Sequence, residues 1–308
     1  MPLTLALRDE LAAVMRGRVR FDEPMRLHTT FHIGGPAEIW AEPLDEEDLR
    51  QLLMVALPAG LAVTAVGGGA NLLVRDEGIP GLVIHLGSGG LQGYRKIDEG
   101  VIVGAGLPLE WLIRRAQEGG SSGAEFLAGV PGRVGGAVRM NAGTHDEEGN
   151  PHSFSDIVRS VKVMDRQGRC RTIPKEAVGF AYRSSRLNGW IVLEATLDLQ
   201  PDDPEEISRR VSRLWEFKKR TQDWTAPSAG CIFKNPADGP AAGWMIDRIG
   251  LKGFSIGGAQ ISPIHGNFIM NRGDAKAADC LHLIEDVRSR VRRQFGIELE
   301  CEVQVLPC

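Results

Sequence analysis

The sequence predicts a mixed α+β protein in two parts, and three observations carry that reading. Up to about Leu199 the apolar pattern switches repeatedly between the strand repeat and the helix repeat. Gln200-Pro-Asp-Asp-Pro204 then interrupts the chain with an acidic, proline-rich break. Beyond it lie two strongly amphipathic helical patterns, and 308 residues suit roughly two domains.

Taken in order, the segment up to about residue 25 reads as a helix, with Leu5, Leu7, Leu11, Ala12 and Met15 set among charges. The chain from Thr29 ends in a turn at Gly34-Gly35-Pro36, and Ala37–Glu42 alternates apolar and polar residues as a strand does. Residues 44–57 carry helical spacing through Leu49, Leu52, Leu53 and Val55. Residues 61–66 form a short apolar strand, followed at once by Gly67-Gly68-Gly69. Further strands are expected at 81–86, 100–105, 158–164 and 190–199, with a helix over 109–118. This alternation indicates an α+β or α/β first domain over 29–200, preceded by a helical segment over 1–28. In the second domain, 201–308, Ile207, Val211, Leu214 and Phe217 share a face of a helix over 205–220. The last helix, 274–295, carries a stripe from Ala278 through Leu281, Ile284, Val287 and Val291 to Phe295, which reads as core, with Asp274 as its cap.

Composition excludes several classes. A net charge of −4 argues against a nucleic-acid partner, which favours a basic face. No apolar run approaches the roughly 18 residues of a membrane span. The N-terminal stretch lacks the charged and apolar regions of a signal peptide. Cys170, Cys231, Cys280, Cys301 and Cys308 are odd in number and show no C-x-x-C, so neither a disulfide framework nor a zinc site is expected. The seven histidines form no metal cluster; His28 and His32 are four apart, but Gly34-Gly35 follows directly. A reducing, cytoplasmic setting fits.

Glycine is the outlier, with 38 residues, well above the usual ~7%. Two loops hold the informative ones: Gly67-Gly68-Gly69-Ala70-Asn71-Leu72, and the stretch from Gly129 and Pro131 through Gly132, Val134, Gly135 and Gly136 to Asn141 and Gly143. Successive glycines let backbone N–H groups converge on an anion. Neither loop is a Walker A or a Rossmann loop leading into a helix. Either alone is better read as a turn; two in one domain favour a bound diphosphate, as in a flavin dinucleotide held outside a Rossmann fold. The other prominent segment is Pro227-Ser-Ala-Gly-Cys-Ile-Phe-Lys-Asn-Pro236. Small residues ahead of Cys231 let a bulky substrate approach its sulfur, although a free cysteine is more often a small buried hydrophobe.

With these residues in view the chain resembles the UDP-N-acetylenolpyruvoylglucosamine reductases. The resemblance runs from Thr29 almost to the C-terminus through T-T-F-H-I-G-G-P-A, G-G-G-A-N-L-L-V, F-L-A-G-V-P-G-R-V-G-G-A-V-R-M-N-A-G, F-A-Y-R-S-S, S-A-G-C-I-F-K-N-P, W-M-I-D-R-I-G-L-K-G, I-G-G-A-Q-I-S and L-E-C-E-V. It implies an FAD-binding fold of the vanillyl-alcohol-oxidase (PCMH) type followed by a smaller α+β substrate domain. It also implies non-covalent FAD, NADPH as co-substrate, and reduction of UDP-N-acetylglucosamine enolpyruvate to UDP-N-acetylmuramate. That step feeds peptidoglycan synthesis and hence cell-wall biogenesis, cell shape and division. A monomer is implied, without nucleic-acid or membrane partners.

Residue by residue, the resemblance makes Arg183 the active-site arginine, whose guanidinium would pair with the substrate carboxylate. Glu302 matches the active-site glutamate, and Cys231 stands where many members have serine as proton donor. A thiol of pKa ~8.5 yields its proton more readily than an alcohol. Gly67, Gly68, Gly69, Asn71 and Leu72 match cofactor-binding positions, as do Gly129, Pro131, Gly132, Val134, Gly135, Gly136, Asn141 and Gly143. Tyr182, Asn235, Lys252 and His265 match substrate-binding positions. Lys218, Lys219 and Arg220 read equally as a phosphate contact or a solvated helix end. The chain departs from the family in Asp223-Trp224 after Gln222 and in Cys301 before Glu302. It also departs in Thr-His-Asp-Glu-Glu-Gly after Gly143, and in a short Pro236–Trp244 connection that resembles the form lacking a tyrosine loop. Two other readings stay open here: a different FAD-dependent oxidase or dehydrogenase of the same fold, and a nucleotide-sugar binding protein without redox chemistry.

Overall fold

Residues 3–307 are described by a computed structural model, and they fall into two compact units. The first unit comprises the chain through Phe21, Ile39–Gly68 and Gly81–Phe217. Its main sheet has five antiparallel strands in the order Cys170–Pro174, Val158–Met164, Ile191–Leu197, Gly100–Gly104 and Tyr94–Ile97. Val161 of the second strand lies opposite both Ile173 and Ala195. Val161 and Val163 are buried on one face, as the pleated repeat requires, and Val158 is buried beyond a register irregularity between Val158 and Ser160. A four-stranded sheet, Arg18–Pro24, Pro36–Glu42, Ile79–His85 and Val63–Val66, ends in a parallel pair that sets Val63 against Leu82.

The helices follow their sequence signals. Glu46–Ala56 is capped by Asp45, whose carboxylate accepts the Asp48 N–H at 2.9 Å, and it buries Leu49, Leu52, Leu53 and Ala56. Leu109–Glu118 buries Leu109, Leu112, Ile113 and Ala116. Each such large side chain contributes about 1.5–3 kcal/mol by leaving water. The segment expected to be one helix over 1–25 is instead the helix Leu5–Val14 and the strand Arg18–Pro24. Val19 and Phe21 alternate with Arg18, Arg20 and Asp22, which is the strand period rather than the helical one.

The second unit comprises Asp22–Glu38, Gly69–Pro80 and the chain from Lys218 onward. Its core joins Phe31, Ile33 and Leu73 to Ile232, Phe233, Met245, Ile269, Leu283 and Val287. An antiparallel sheet runs Ser228–Cys231, Phe268–Asn271, Ala259–Ile261, Ser255–Ile256. Gln304–Leu306 pairs in parallel with Leu72–Val74.

The compact units do not follow the continuous boundaries expected at 28/29 and 200/201. The later division falls at Phe217/Lys218, within the helix Pro204–Thr221, and two N-terminal stretches belong with the C-terminal half. The physical reason is local apolar demand: Phe31, Ile33 and Leu73 are fully buried only in the second core, and Leu72–Val74 finds its ladder partner at 304–306. The last helix is Ala277–Phe295, three residues shorter at its start than expected. Asp274 does not cap it; Asp76 does, accepting the Ala277 and Ala278 N–H groups at 2.9 and 3.0 Å.

Among the described residues no helix is long and apolar enough to cross a membrane, and no group of three or more His, Cys, Asp or Glu side chains is arranged for a metal. Cys170, Cys231, Cys280 and Cys301 are free thiols; Cys308, like Met1 and Pro2, lies outside the described residues.

Candidate functional site

In the first unit the two glycine loops meet backbone to backbone. A Cβ on Gly68 would stand 3.1 Å from Gly132 Cα, and one on Gly67 would stand 3.7 Å from Arg133 Cβ. Gly132 itself has φ of +122°, which side chains rarely adopt, and Gly136 opens onto free space. Such bare main chain fits a dinucleotide that must lie against it. Not every expected donor is available, however. The N–H groups of Val134 and Gly135 are already given to Leu107 O at 3.0 Å and Ala105 O at 2.8 Å. Their role is to seat the short helix Val134–Met140. Arg133, passed over in the sequence, is a cation of this loop. Burial pushes its guanidinium down from the usual value, with Glu42 opposing, and it donates to Gly106 O.

The first loop divides between the units. Gly69 lies in the second, at φ +63°, where a Cβ would strike His28 O. Asn71 donates its amide to Glu302 O at 2.9 Å and accepts the Gln304 N–H at 2.9 Å through its own carbonyl. Leu72 pairs with Gln304. Asn71 thus braces the backbone of a candidate catalytic residue.

Arg183 sits at the tip of a tight turn in the first unit. Ala181 and Ser184 exchange both backbone hydrogen bonds, at 3.0 and 3.1 Å, leaving Tyr182 and Arg183 between them. Arg183 has φ of +52°, a strained value for a long side chain. Its guanidinium lies 5.1 Å from the Tyr182 ring centre, an arrangement that favours a cation on an aromatic face. Asn141, itself left-handed at φ +44°, holds this turn: its amide donates to Ala181 O at 3.1 Å, while its carbonyl accepts the Ser155 N–H at 2.9 Å. Gly143 leaves room for the arginine, since a Cβ there would come within 3.0 Å of Arg183 Nη1. Asn141 and Gly143, read in sequence as cofactor positions, are thus directly engaged in placing Arg183.

Cys231 and Glu302 come together in the second unit. Cys231 faces Phe268 across the sheet. The Glu302 N–H donates to Ile232 O at 2.8 Å, and Phe233 bridges Cys301. The two candidate acids therefore occupy adjoining backbone positions. Asn267 clamps the same strand end, accepting from Ile232 and Phe233 N–H and donating to Phe233 O.

The candidate substrate residues of this unit are His265, Asn235 and Lys252. His265 Nδ1 accepts the Asn267 N–H at 3.3 Å, which leaves its proton on Nε2. Burial pushes its pKa down, and nearby Lys252 acts in the same direction, so the ring is a neutral donor at pH 7. Asn235 accepts the Ala242 N–H at 3.0 Å, and Lys252 pairs with Asp247 at 2.8 Å. Lys218 is not a solvated helix end. It is 2% exposed, and burial lowers its ammonium to about 8. The signal was present: Lys218 continues the spacing of Ile207, Val211 and Leu214 along the buried face.

Two family descriptions match the chain: an FAD binding domain over residues 37–173, and the C-terminal domain of UDP-N-acetylenolpyruvoylglucosamine reductase over residues 222–306. The reductase of that name from Heliobacterium modesticaldum is 44% identical over 94% of this chain and 91% of its own length. That of Bacillus subtilis is 39% identical over 94% of each. The solved reductase of Thermus caldophilus superposes with a TM-score of 0.78 at 38% identity, covering 95% of this chain and all of that one. A 4-ethylphenol oxidase from Gulosibacter chungangensis, 17% identical with a TM-score of 0.50 over 64% of this chain and 42% of its own, shows the fold alone. The fold is the FAD-binding fold expected, and the protein is an FAD-dependent oxidoreductase. With both halves matched in order and relatives aligned over nearly their whole length, the chain belongs to the UDP-N-acetylenolpyruvoylglucosamine reductase family.

Proposed function

We propose that the protein reduces UDP-N-acetylglucosamine enolpyruvate to UDP-N-acetylmuramate at the expense of NADPH, in the cytoplasm and as a monomer, with Cys231 as the proton donor. The observation that carries the proton-donor assignment is the pairing of Glu302 N–H with Ile232 O, which sets a carboxylic side chain beside the thiol-bearing strand. The chemistry supplied by bound FAD is hydride relay, from NADPH to the β-carbon of the enolpyruvyl ether.

The protein's own residues handle the charge and the proton. Hydride arrival at the β-carbon leaves electron density on the α-carbon, shared with the carboxylate. Arg183, held by its left-handed backbone and by Asn141, presents a fixed guanidinium to that carboxylate. Cys231 Sγ–H gives its proton to the α-carbon, and Glu302 assists by polarising the developing enolate. His265 offers Nε2–H, and Asn235 and Lys252 offer an amide and an ammonium, to the UDP-sugar. Tyr182, about half exposed, lies against the Arg183 cation and shapes the carboxylate's approach.

The test is anaerobic. Protein reduced with NADPH is mixed with UDP-N-acetylglucosamine enolpyruvate while the visible flavin spectrum is followed. Prompt reoxidation without oxygen is expected, with Cys231→Ala slower by about 10²–10⁴-fold and Cys231→Ser retaining substantial rate. Flavin that recovers only in air would replace this reading with an oxidase, and an unimpaired alanine variant would remove Cys231 from the chemistry.

A further inference from the structure

A carboxylate outside the sheet of the second unit holds the turn that enters the strand Phe268–Asn271. The Asp223 side chain is wholly shielded from solvent. One of its oxygens accepts from the Thr225 N–H at 3.0 Å and the Thr225 hydroxyl at 2.6 Å. The other accepts from the Ser262 hydroxyl at 2.7 Å, with Arg272 Nη2 4.0 Å away. Burial opposes ionisation here, but the Thr225 and Ser262 hydrogen bonds and the Arg272 charge outweigh it and keep the carboxyl below its ordinary value.

Ser262, also fully buried, is the next link. Its hydroxyl gives its one proton to Asp223 and accepts the N–H groups of Ile264 and His265, each at 3.0 Å. One donor and two acceptor sites are then all used. The turn so fixed carries His265, whose ring lies 4.5 Å from that of Phe268. It also delivers Asn267 to the backbone of Ile232 and Phe233. Phe268 is in turn the cross-strand partner of Cys231.

We propose that Asp223 is a positioning residue for the substrate-reducing half of the reaction: through Ser262 it fixes the 262–267 turn, and with it the His265 imidazole and the seat of Cys231. The proposal rests on the roles given above to Cys231 and His265. Its chemical specificity is sharp. An asparagine at 223 keeps the shape of aspartate, yet it must turn its NH₂ either toward the Thr225 donors or toward a Ser262 oxygen whose lone pairs are already filled. Either choice opposes donor to donor and costs the turn at least one bond.

The experiment compares Asp223→Asn, Ser262→Ala and their double variant in the flavin-loaded enzyme. Two readouts are taken: each half-reaction by stopped flow, and amide hydrogen exchange by mass spectrometry. The expected result is reoxidation by the enolpyruvyl substrate slowed about 10-fold or more by either single change, with flavin reduction by NADPH within about twofold and no further loss in the double variant. Exchange should quicken locally, over 228–233 and 262–268, without change in the five-stranded sheet of the first unit. Equal slowing of both half-reactions, globally faster exchange, or additive losses would overturn the proposal, since those are the marks of general destabilisation. Cys231→Ala run alongside separates the two readings: if it leaves reoxidation intact while Asp223→Asn slows it, the thiol's role falls and the turn's role stands. Should Asp223→Asn not fold, Thr225→Val, which removes one donor but leaves the carboxylate, is expected to give the same half-reaction bias at smaller size; an even loss in both would overturn the proposal.

Discussion

Arg183 and Cys231 are held in opposite ways. Arg183 stands on a strained two-residue tip, and its supports, Asn141 and Gly143, lie within about 45 residues and act directly on the turn or the side chain. Cys231 stands on a short strand whose register breaks between Ser228 and Cys231, and the left-handed backbone there falls on Gly230 rather than on the thiol residue itself. Its placement comes from Asn267, Ser262 and Asp223 by way of a separate turn, and from Asn71 through the Glu302 backbone. The contrast has a chemical logic. In the role proposed for it, Arg183 presents a planar fork to a carboxylate and needs its own direction fixed. A thiol has one short rotor, so fixing its strand largely fixes its sulfur.

The largest expected effect tests the first arrangement. Arg183→Lys keeps the charge but loses the fork, and kcat/KM for the enolpyruvyl substrate should fall about 10²–10³-fold. A loss under threefold would show that charge alone suffices and would dissolve the contrast. Gly143→Ala comes next. Its Cβ would strike His152 O at 2.5 Å and press on Arg183 Nη1 at 3.0 Å, so the paired strand must shift and the guanidinium must give way by a few tenths of an ångström. A fall in kcat of about tenfold with unchanged flavin content is expected; loss of flavin instead would support the cofactor-binding role expected of Gly143.

The next test concerns Lys218, whose burial is a cost carried by the second unit. With its ammonium lowered to about 8 from 10.5, the folded protein sheds between those values a proton that the unfolded chain still binds. Stability from this group therefore rises with pH across that window, and the unfavourable burial of charge is present in full below it. Lys218→Met should flatten that rise. Denaturant titrations of both proteins at pH 7 and 10 check this, and a variant whose stability still rises as steeply across that window would show that another group is responsible. The smallest effect is expected at Asp76→Ala. Losing the cap on Ala277 and Ala278 should cost about 1 kcal/mol, seen as a lower thermal midpoint with kinetics unchanged.

Much of this was legible in the residues. The helix 109–118 and the strand 158–164 have the bounds their periodicity predicted, because an apolar repeat is a local property that burial then satisfies. The glycine loops were legible as places where main chain must come close, and Cys231 as a thiol behind small residues. The strand Arg18–Pro24 was missed, since Val19 and Phe21 were absorbed into a helical pattern that ends at Val14.

What the sequence by itself determined was the kind of elements, the motifs and the chemistry of the side chains. Only the tertiary structure decided which partners they meet. It gave Asp76 the cap expected of Asp274, assigned Leu72–Val74 to a strand at the far end of the chain, and spent the Val134 and Gly135 N–H groups on Leu107 and Ala105. It also turned Asp223, which in sequence stood out only as a departure from the family pattern, into the buried anchor of a turn 39 residues away. The reason is physical. Propensity and periodicity act over a few bonds, whereas a buried polar group must find its partner wherever the fold brings one, and no local pattern records that choice.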